Sequence, residues 1–131
     1  MRTLFLSVLL LPMPALANDP VAGEALMRNC TACHALTRSD GTVVLQGGAT
    51  GPDLYGVVGR PAGGVEGYGY SAGLVALNAA GHIWDEASLA AFIANPNGYL
   101  DERLGPGHRS KMPFGLPKGA ADIAAWLAQA P

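Results

Sequence analysis

Five consecutive residues carry the clearest chemistry of the chain, Cys30-Thr31-Ala32-Cys33-His34. In a helical turn, residues i, i+3 and i+4 lie on one face, so Cys30, Cys33 and His34 can all contact one flat ligand. The two thiols can add to the two vinyl groups of a haem, and the imidazole can then bind the iron as an axial ligand. The motif therefore predicts one covalently attached haem (heme c), bound through Cys30 and Cys33 with His34 on the iron.

A C-x-x-C-H motif can arise in three further ways, which fit this chain less well. A structural disulfide or a thioredoxin-like redox pair is expected in a βαβ context, which the sequence lacks. A zinc site would need His82 and His108 as further ligands, and these two histidines have no ligand spacing to each other. The third alternative is a chance occurrence of the motif.

The first residues have the form of an export signal. Arg2 gives a short positive start, an apolar run follows, and an Ala-x-Ala cleavage site ends at Ala17. The apolar run is far shorter than the roughly 20 residues that span a bilayer, which argues against a membrane anchor. We expect a signal peptide over residues 1–17, cleavage after Ala17, and one soluble exported domain over residues 18–131.

The composition favours a loop-rich domain built around a cofactor. The chain of 131 residues contains 18 glycines and 10 prolines, which are high counts, so much of it should be loop. A small loop-rich domain buries little apolar surface by itself, and an internal haem would supply the surface that it lacks. Exported proteins often contain disulfides, yet the only two cysteines are the pair already assigned to the haem.

Apolar periodicity predicts three helices and no persistent strand, an all-α architecture with long loops. The first helix opens at Pro20 and carries Gly23, Leu26, Met27 and Cys30 on one face, where the glycine allows another helix to approach closely.

The second helix has Asp85 as its N-cap and ends at Asn95-Pro96, and the last helix begins near Lys118. Their apolar stripes contain Leu89, Phe92, Ile93, Ile123, Trp126, Leu127 and Ala130. The Gly-rich connections are expected to be loops, at 37–51, 59–73 and 97–110.

The sixth position of the iron separates electron transfer, which uses two protein ligands, from gas binding or catalysis, which needs an open site. Met27 lies on the face of the first helix and is expected in the core. His82 is expected to be a loop histidine and His108 to be solvated. Met112 lies in a turn-rich segment where Pro113 fixes the backbone, which favours it as the ligand.

The motifs, taken in order, resemble the class I cytochrome c family, and most closely the cytochrome c2 and c-550 type carriers of the bacterial periplasm. Besides C-x-x-C-H, the matching motifs are Gly51-Pro52-Asp53-Leu54, Gly59-Arg60, Tyr70-Ser71, Trp84, Asn95-Pro96 and Lys111-Met112-x-Phe114. The resemblance covers essentially the whole mature chain. It implies a fold in which the N- and C-terminal helices cross and long loops wrap around one covalently bound haem.

The resemblance also implies roles for the residues around the iron. Cys30 and Cys33 match the thioether cysteines, His34 matches the proximal ligand, and Met112 matches the distal ligand. Pro52 matches the proline whose carbonyl accepts a hydrogen bond from the proximal histidine.

Further matches surround the rest of the haem. Groups that surround or hydrogen-bond the propionates are matched by Arg60, Tyr70, Ser71 and Trp84. Ser110 takes the place of a hydroxyl residue two before the methionine, and Phe114 matches an aromatic that covers the haem edge. Gly23 and Met27 match the residues of the first helix that cross the last helix, although Met27 replaces the usual aromatic.

The function that this resemblance implies is a monomeric, periplasmic one-electron carrier with no nucleic-acid partner, and not an enzyme. The implied donors are a cytochrome bc complex or a dehydrogenase, and the implied acceptors are an oxidase, a reductase or a photosynthetic reaction centre. The alternative is a dedicated haem subunit of a periplasmic dehydrogenase. A peroxidase would usually carry a second haem motif, and a gas sensor would need an empty sixth position, against which Met112 argues.

The lysines that typical members of this family use for docking are sparse here. The formal net charge is −2, and loss of Arg2 with the signal peptide makes the mature chain one unit more negative. Between Asp101 and Lys118, basic residues nevertheless outnumber acidic ones. This segment is either an ordinary solvated loop or a small positive patch beside the haem edge, and we favour the patch.

Overall fold

The computed structural model describes residues 18–130, which contain five α-helices and one two-stranded antiparallel hairpin. In chain order the elements are α1 (Pro20–Leu26), β1 (Leu36–Thr37), β2 (Val43–Leu45), α2 (Ala72–Ala79), α3 (Glu86–Ala94), α4 (Pro96–Leu104) and α5 (Ala120–Gln129). The proposed signal peptide lies outside the described residues. In the part of the chain that is described, no helix is both long and apolar enough to cross a membrane.

The first and last helices cross at Gly23, as the resemblance implied. The Asp19 carboxylate caps α1 by accepting hydrogen bonds from two main-chain N–H groups, and Pro20 occupies the first turn. A β-carbon at Gly23 would overlap the carbonyl oxygen of Asp122 in α5, so the two backbones touch where only a glycine fits. Beyond α1, residues 27–29 tighten into a 3-10 turn that leads into the C-x-x-C-H motif.

The core lies between these crossing helices and α3. Helix α3 packs against both α4 and α5, and α2 packs against α4. The predicted cap of α3 is confirmed, since the Asp85 carboxylate accepts from the Ser88 N–H at 2.7 Å. In return, the Ser88 hydroxyl accepts from the Asp85 N–H at 3.0 Å. The largest fully buried side chains are Met27, Leu36, Leu100 and Ile123.

Two helices were not predicted from the sequence: α2 begins at the end of the expected loop 59–73, and α4 lies mostly within the expected loop 97–110. Helix α2 is rich in alanine and carries no charge, so it has no contrast between polar and apolar faces for a periodicity to reveal. Helix α4 was missed because Asn95-Pro96 was interpreted only as a stop. In fact proline suits the first position of a new helix, and the Asn95 side chain caps that helix by accepting from the Gly98 N–H at 3.0 Å.

The expectation of one irregular loop over 37–51 is also wrong in part. Leu36 pairs with Leu45 and Thr37 with Val43 in a short hairpin. Its turn contains Gly41 at φ 86°, a conformation that favours glycine. These strands are two and three residues long, too short to leave a persistent alternation in the sequence.

The crossing of α1 and α5 gives a first test. Gly23→Ala should lower the free energy of unfolding by about 1–3 kcal/mol, because the added methyl must push two backbones apart. This loss should exceed the roughly 1 kcal/mol that alanine gains over glycine in a helix. Urea unfolding of the haem-loaded protein measures the change. The exposed neighbour provides the control, since Glu24→Ala should stay within about 0.5 kcal/mol of wild type. Equal stability of Gly23→Ala and wild type would contradict the close contact.

Candidate haem-binding site

One cavity collects side chains from distant parts of the chain. All of the predicted site residues line it, namely Cys30, Cys33, His34, Pro52, Arg60, Tyr70, Ser71, Trp84, Ser110, Met112 and Phe114. Most of the remaining wall is aliphatic or aromatic, and includes Leu54, Val57, Leu74, Leu89, Phe92, Ile93, Leu116, Ile123 and Leu127. The fold therefore brings together residues that the sequence could group only by resemblance.

The proximal wall is a helical turn that presents both cysteines and the histidine. The N–H groups of Cys33 and His34 both donate to the Cys30 carbonyl, at 3.1 and 2.9 Å. Nδ1 of His34 lies 2.7 Å from the Pro52 carbonyl oxygen. A carbonyl can only accept, so Nδ1 carries the proton and Nε2 keeps the free lone pair that a metal needs.

A glycine-rich segment holds this turn from outside. The N–H of Gly48 donates to Thr31 and that of Gly51 donates to Cys33, at 2.9 and 2.7 Å. A β-carbon at Gly51 would overlap the His34 ring, and one at Gly47 would overlap the His34 carbonyl. Gly47 and Gly48 received no role from the sequence, although their adjacency was a signal of close backbone contact.

The two thiols differ in their surroundings. Cys30 is half-buried and Cys33 is exposed. Burial, and secondarily the charge of the neighbouring Cys33, raise the pKa of the Cys30 thiol. Both cysteines line the cavity, which suits attachment of a ligand that fills it.

Arg60 is a half-buried cation that lines the cavity. Its guanidinium donates to the carbonyls of Asp53 and Tyr55, at 2.9 and 3.1 Å. Burial lowers its pKa, while the proximity of Tyr70 and Asp53 opposes this shift. Because a guanidinium stays charged in proteins, its remaining donors favour an anionic partner. A carboxylate on a ligand in the cavity would supply one.

Two tyrosines border the same region. The Tyr70 hydroxyl accepts from the Val65 N–H at 3.1 Å, and the Tyr68 hydroxyl donates to the Thr50 carbonyl at 2.6 Å. Their rings meet edge to face, with centroids 4.7 Å apart. Tyr68 was not among the predicted site residues, and its spacing of two from Tyr70 was the available signal.

Trp84 belongs to an aromatic cluster behind the cavity. Its ring lies 5.3 Å from that of Phe92 and 5.8 Å from that of Tyr99, and it is 6% exposed. His82 packs edge-on against Trp84 and shares a 3.1 Å hydrogen bond with the Tyr99 hydroxyl. Burial, and then the nearby Arg103, lower the pKa of His82, while the Asp85 carboxylate opposes this shift.

Among the four candidates for the sixth ligand, only Met112 borders the cavity in the described part of the chain. Met27 is 1% exposed and belongs to the core. His82 joins the aromatic cluster. His108 is half-buried rather than fully solvated, and its Nδ1 lies 3.2 Å from the Gly105 carbonyl oxygen.

The donor set fits a haem. The cavity is lined by two cysteines, a histidine, a methionine and the half-buried Arg60, all set in a mostly apolar wall. Soft sulfur and imidazole suit iron, the thiols suit vinyl groups, and the cation suits a propionate. A zinc site would not need the wide apolar wall.

Known proteins provide a separate comparison. The chain is 41% identical over 123 residues to cytochrome c2 of Rhodobacter capsulatus, and the aligned region covers 93% of this chain and 90% of that protein. It is 42% identical over 129 residues to cytochrome c-550 of Paracoccus versutus, covering 95% and 84%. No family model matches the chain.

Solved structures of the same two proteins have the same fold. The cytochrome c2 structure from Rhodobacter capsulatus superimposes with a TM-score of 0.82 at 40% identity, covering 84% of this chain and 96% of that one. Ferric cytochrome c-550 from Paracoccus versutus also gives 0.82 at 40% identity, covering 86% and 98%.

The contacts of Arg60 generate a second test. Arg60→Ala should lower the free energy of unfolding by about 1–3 kcal/mol, since it removes charged hydrogen bonds to two main-chain carbonyls. Arg60→Lys should lose less, because it keeps the charge but cannot reach both carbonyls at once. Urea unfolding followed by circular dichroism checks both variants. A neutral Arg60→Ala would show that the side chain is not anchored as described.

Proposed function

The chain belongs to the class I cytochrome c family, and we propose that it is a periplasmic one-electron carrier in which His34 and Met112 are the axial ligands. It is an electron-transfer protein with one covalent c-type haem, held through Cys30 and Cys33, and not an enzyme. When bound, the haem supplies an iron atom that exchanges one electron between its ferric and ferrous states. The observation that carries the proposed ligation is that Met112 borders the same cavity as His34.

The two ligands have complementary tasks. The hydrogen bond to Pro52 fixes the tautomer and the orientation of the His34 ring. The sulfur of Met112 is a neutral thioether, which favours ferrous iron more than a second imidazole would. The apolar wall disfavours the additional charge of ferric iron. Both effects favour a comparatively high reduction potential.

The polar residues of the cavity are proposed to satisfy the propionates, which are costly to bury unless they are paired or hydrogen-bonded. The residues with this role are Arg60, Tyr70, Ser71 and Trp84, while Ser110 is the hydroxyl residue two before the proposed distal ligand. Removal of the Arg60 cation should lower the reduction potential, because an uncompensated carboxylate favours ferric iron.

Phe114 borders the cavity and is 44% exposed, which suits an aromatic that covers the haem edge at the contact with a partner.

We also propose export, with residues 1–17 removed after Ala17 and residues 18–131 released into the periplasm. The support for this boundary is the sequence pattern of a positive start, an apolar run and an Ala-x-Ala site. In the described part of the chain, the Asp19 N–H donates to the Asp122 carboxylate at 2.8 Å, and the Asn18 amide donates to Glu86 at 3.3 Å. Both residues would remain in the mature chain and would hold its start against α5 and α3.

The proposed partners are redox complexes. A cytochrome bc complex or a dehydrogenase would be the donor, and an oxidase, a reductase or a photosynthetic reaction centre the acceptor, within a respiratory or photosynthetic chain. The names of the relatives, cytochrome c2 and cytochrome c-550, support a mobile carrier over a dedicated dehydrogenase subunit.

Basic side chains of the segment between Asp101 and Lys118 contact other groups of the chain. Arg109 lies 3.4 Å from the Asp101 carboxylate, and the Lys111 ammonium donates to the uncharged Gly69 carbonyl at 2.6 Å. Arg103 lies 5.0 Å above the ring of Tyr99. Because few charges are involved, electrostatic steering by this patch should be modest, with much of the contact made by uncharged surface around the exposed aromatic at the cavity.

Replacement of the proposed distal ligand tests the ligation. Met112→Ala should still carry covalent haem, because both cysteines remain, and its ferrous form should gain affinity for carbon monoxide. Its ferric form should lose the weak charge-transfer band of methionine ligation. Visible spectra and carbon monoxide titration measure these changes. Met27→Leu removes a core methionine instead and should leave both readouts unchanged. Wild-type behaviour of Met112→Ala would rule out this ligand.

Salt dependence tests the docking surface. The second-order rate of electron transfer to the physiological acceptor should fall modestly with ionic strength, as charges become screened over about 8–10 Å. Arg109→Glu combined with Lys118→Glu should flatten or reverse that slope, and neither substitution breaks the contact between Lys111 and Gly69. Salt-independent rates in both proteins would show that the charged patch plays no part in docking.

A further inference from the structure

The segment that carries Met112 contains no regular secondary structure. Residues 105–119 contain no helix or strand, so their position depends on individual contacts with the surrounding fold. After Met112, the Leu116 N–H donates to the Ile93 carbonyl of α3 at 2.9 Å. Before Met112, the main-chain N–H of Ser110 donates to the side chain of Asn97 in α4. Neither the sequence nor the proposed function gave Asn97 a role.

Two hydrogen bonds in series connect Asn97 to Met112. The Ser110 N–H donates to Oδ1 of Asn97 at 2.8 Å. The Met112 N–H in turn donates to Oγ of Ser110 at 3.0 Å. The first bond fixes the backbone of residue 110, and the second fixes the backbone from which the methionine side chain projects.

The Asn97 side chain is exposed, but the helical turn that carries it is firmly held. Asn97 lies in the first turn of α4, where the Asn95 side chain caps the adjacent N–H at 3.0 Å. The same helix buries Tyr99 and Leu100, which are 4% and 0% exposed. The Asn97 side chain therefore joins the irregular segment to a helix that is anchored in the core.

The neighbouring tie to α4 is weaker. Arg109 reaches Asp101 at 3.4 Å, and the two side chains are 67% and 37% exposed. Exposed ion pairs contribute little because water and salt screen them and because long side chains lose entropy. The hydrogen bond from Ser110 is shorter and joins a main-chain group directly.

We propose that Asn97 is a positioning residue for Met112, acting through Ser110 to hold the methionine sulfur in the cavity. This inference rests on the proposed role of Met112 as the distal ligand. Loss of the acceptor should allow the segment to spend more time with the sulfur away from the iron. Any external ligand that competes for that position should then bind more tightly, in proportion to the larger open population.

Imidazole binding to the purified ferric holoprotein, followed by visible spectroscopy, measures that population. Asn97→Ala should raise the apparent affinity for imidazole about fivefold, the size expected for loss of one hydrogen bond. Asn97→Asp keeps an acceptor oxygen at the same place and should stay within about twofold of wild type. Asn78→Ala provides the matched control, since it loses a 2.7 Å side-chain hydrogen bond to Ala62 outside the segment 105–119. It should leave imidazole affinity unchanged.

Three outcomes would overturn the proposal. These are an unchanged affinity in Asn97→Ala, equal effects of the alanine and aspartate variants, and an equal rise in Asn78→Ala, which would indicate general loosening of the fold. Met112→Ala, titrated in parallel, separates this inference from the ligation on which it rests. If Met112→Ala binds imidazole more tightly and Asn97→Ala does not, only the positioning role fails. If Met112→Ala is also unchanged, the proposed ligation fails.

Discussion

The hydrogen bond from the His34 ring to the Pro52 carbonyl is the contact on which the rest of the site depends. It sets which imidazole nitrogen is free and in which direction that nitrogen can point. It also ties the C-x-x-C-H turn to the segment that leads to Arg60. The glycines at 47, 48 and 51 leave no room for a side chain between that segment and the turn, so a β-carbon at any of them would displace the turn or the His34 ring.

The two sides of the site are held by different kinds of contact. On the side of His34, main-chain hydrogen bonds join the C-x-x-C-H turn to Gly48 and Gly51, and the glycines allow the two segments to touch. On the side of Met112, an irregular segment is held by hydrogen bonds that involve side chains, from the Ser110 N–H to the Asn97 side chain of α4 and from the Lys111 side chain to the Gly69 carbonyl. A carrier that keeps both ligands during one-electron exchange needs both sides fixed, and the second has the fewer main-chain contacts.

The sequence predicted the chemistry of this protein better than it predicted the helices between α1 and α5. The C-x-x-C-H spacing led to the cofactor and the ordered set of motifs led to the family, while Gly23 indicated the close approach of a second helix. Helix α2 was missed because its alanines give no amphipathic contrast, and α4 because a proline can both end and begin a helix. The role proposed for Asn97 was beyond sequence reasoning, because its partner Ser110 is 13 residues away and only the packing of α4 brings them together.

X-ray absorption at the iron edge of the haem-loaded protein, recorded in both oxidation states, tests most directly whether the chain keeps His34 and Met112 on the iron throughout one-electron exchange. We predict a single sulfur neighbour of the iron in the ferric form and in the ferrous form, with nearly equal iron–sulfur distances. A spectrum without a sulfur neighbour in either state would contradict this ligation.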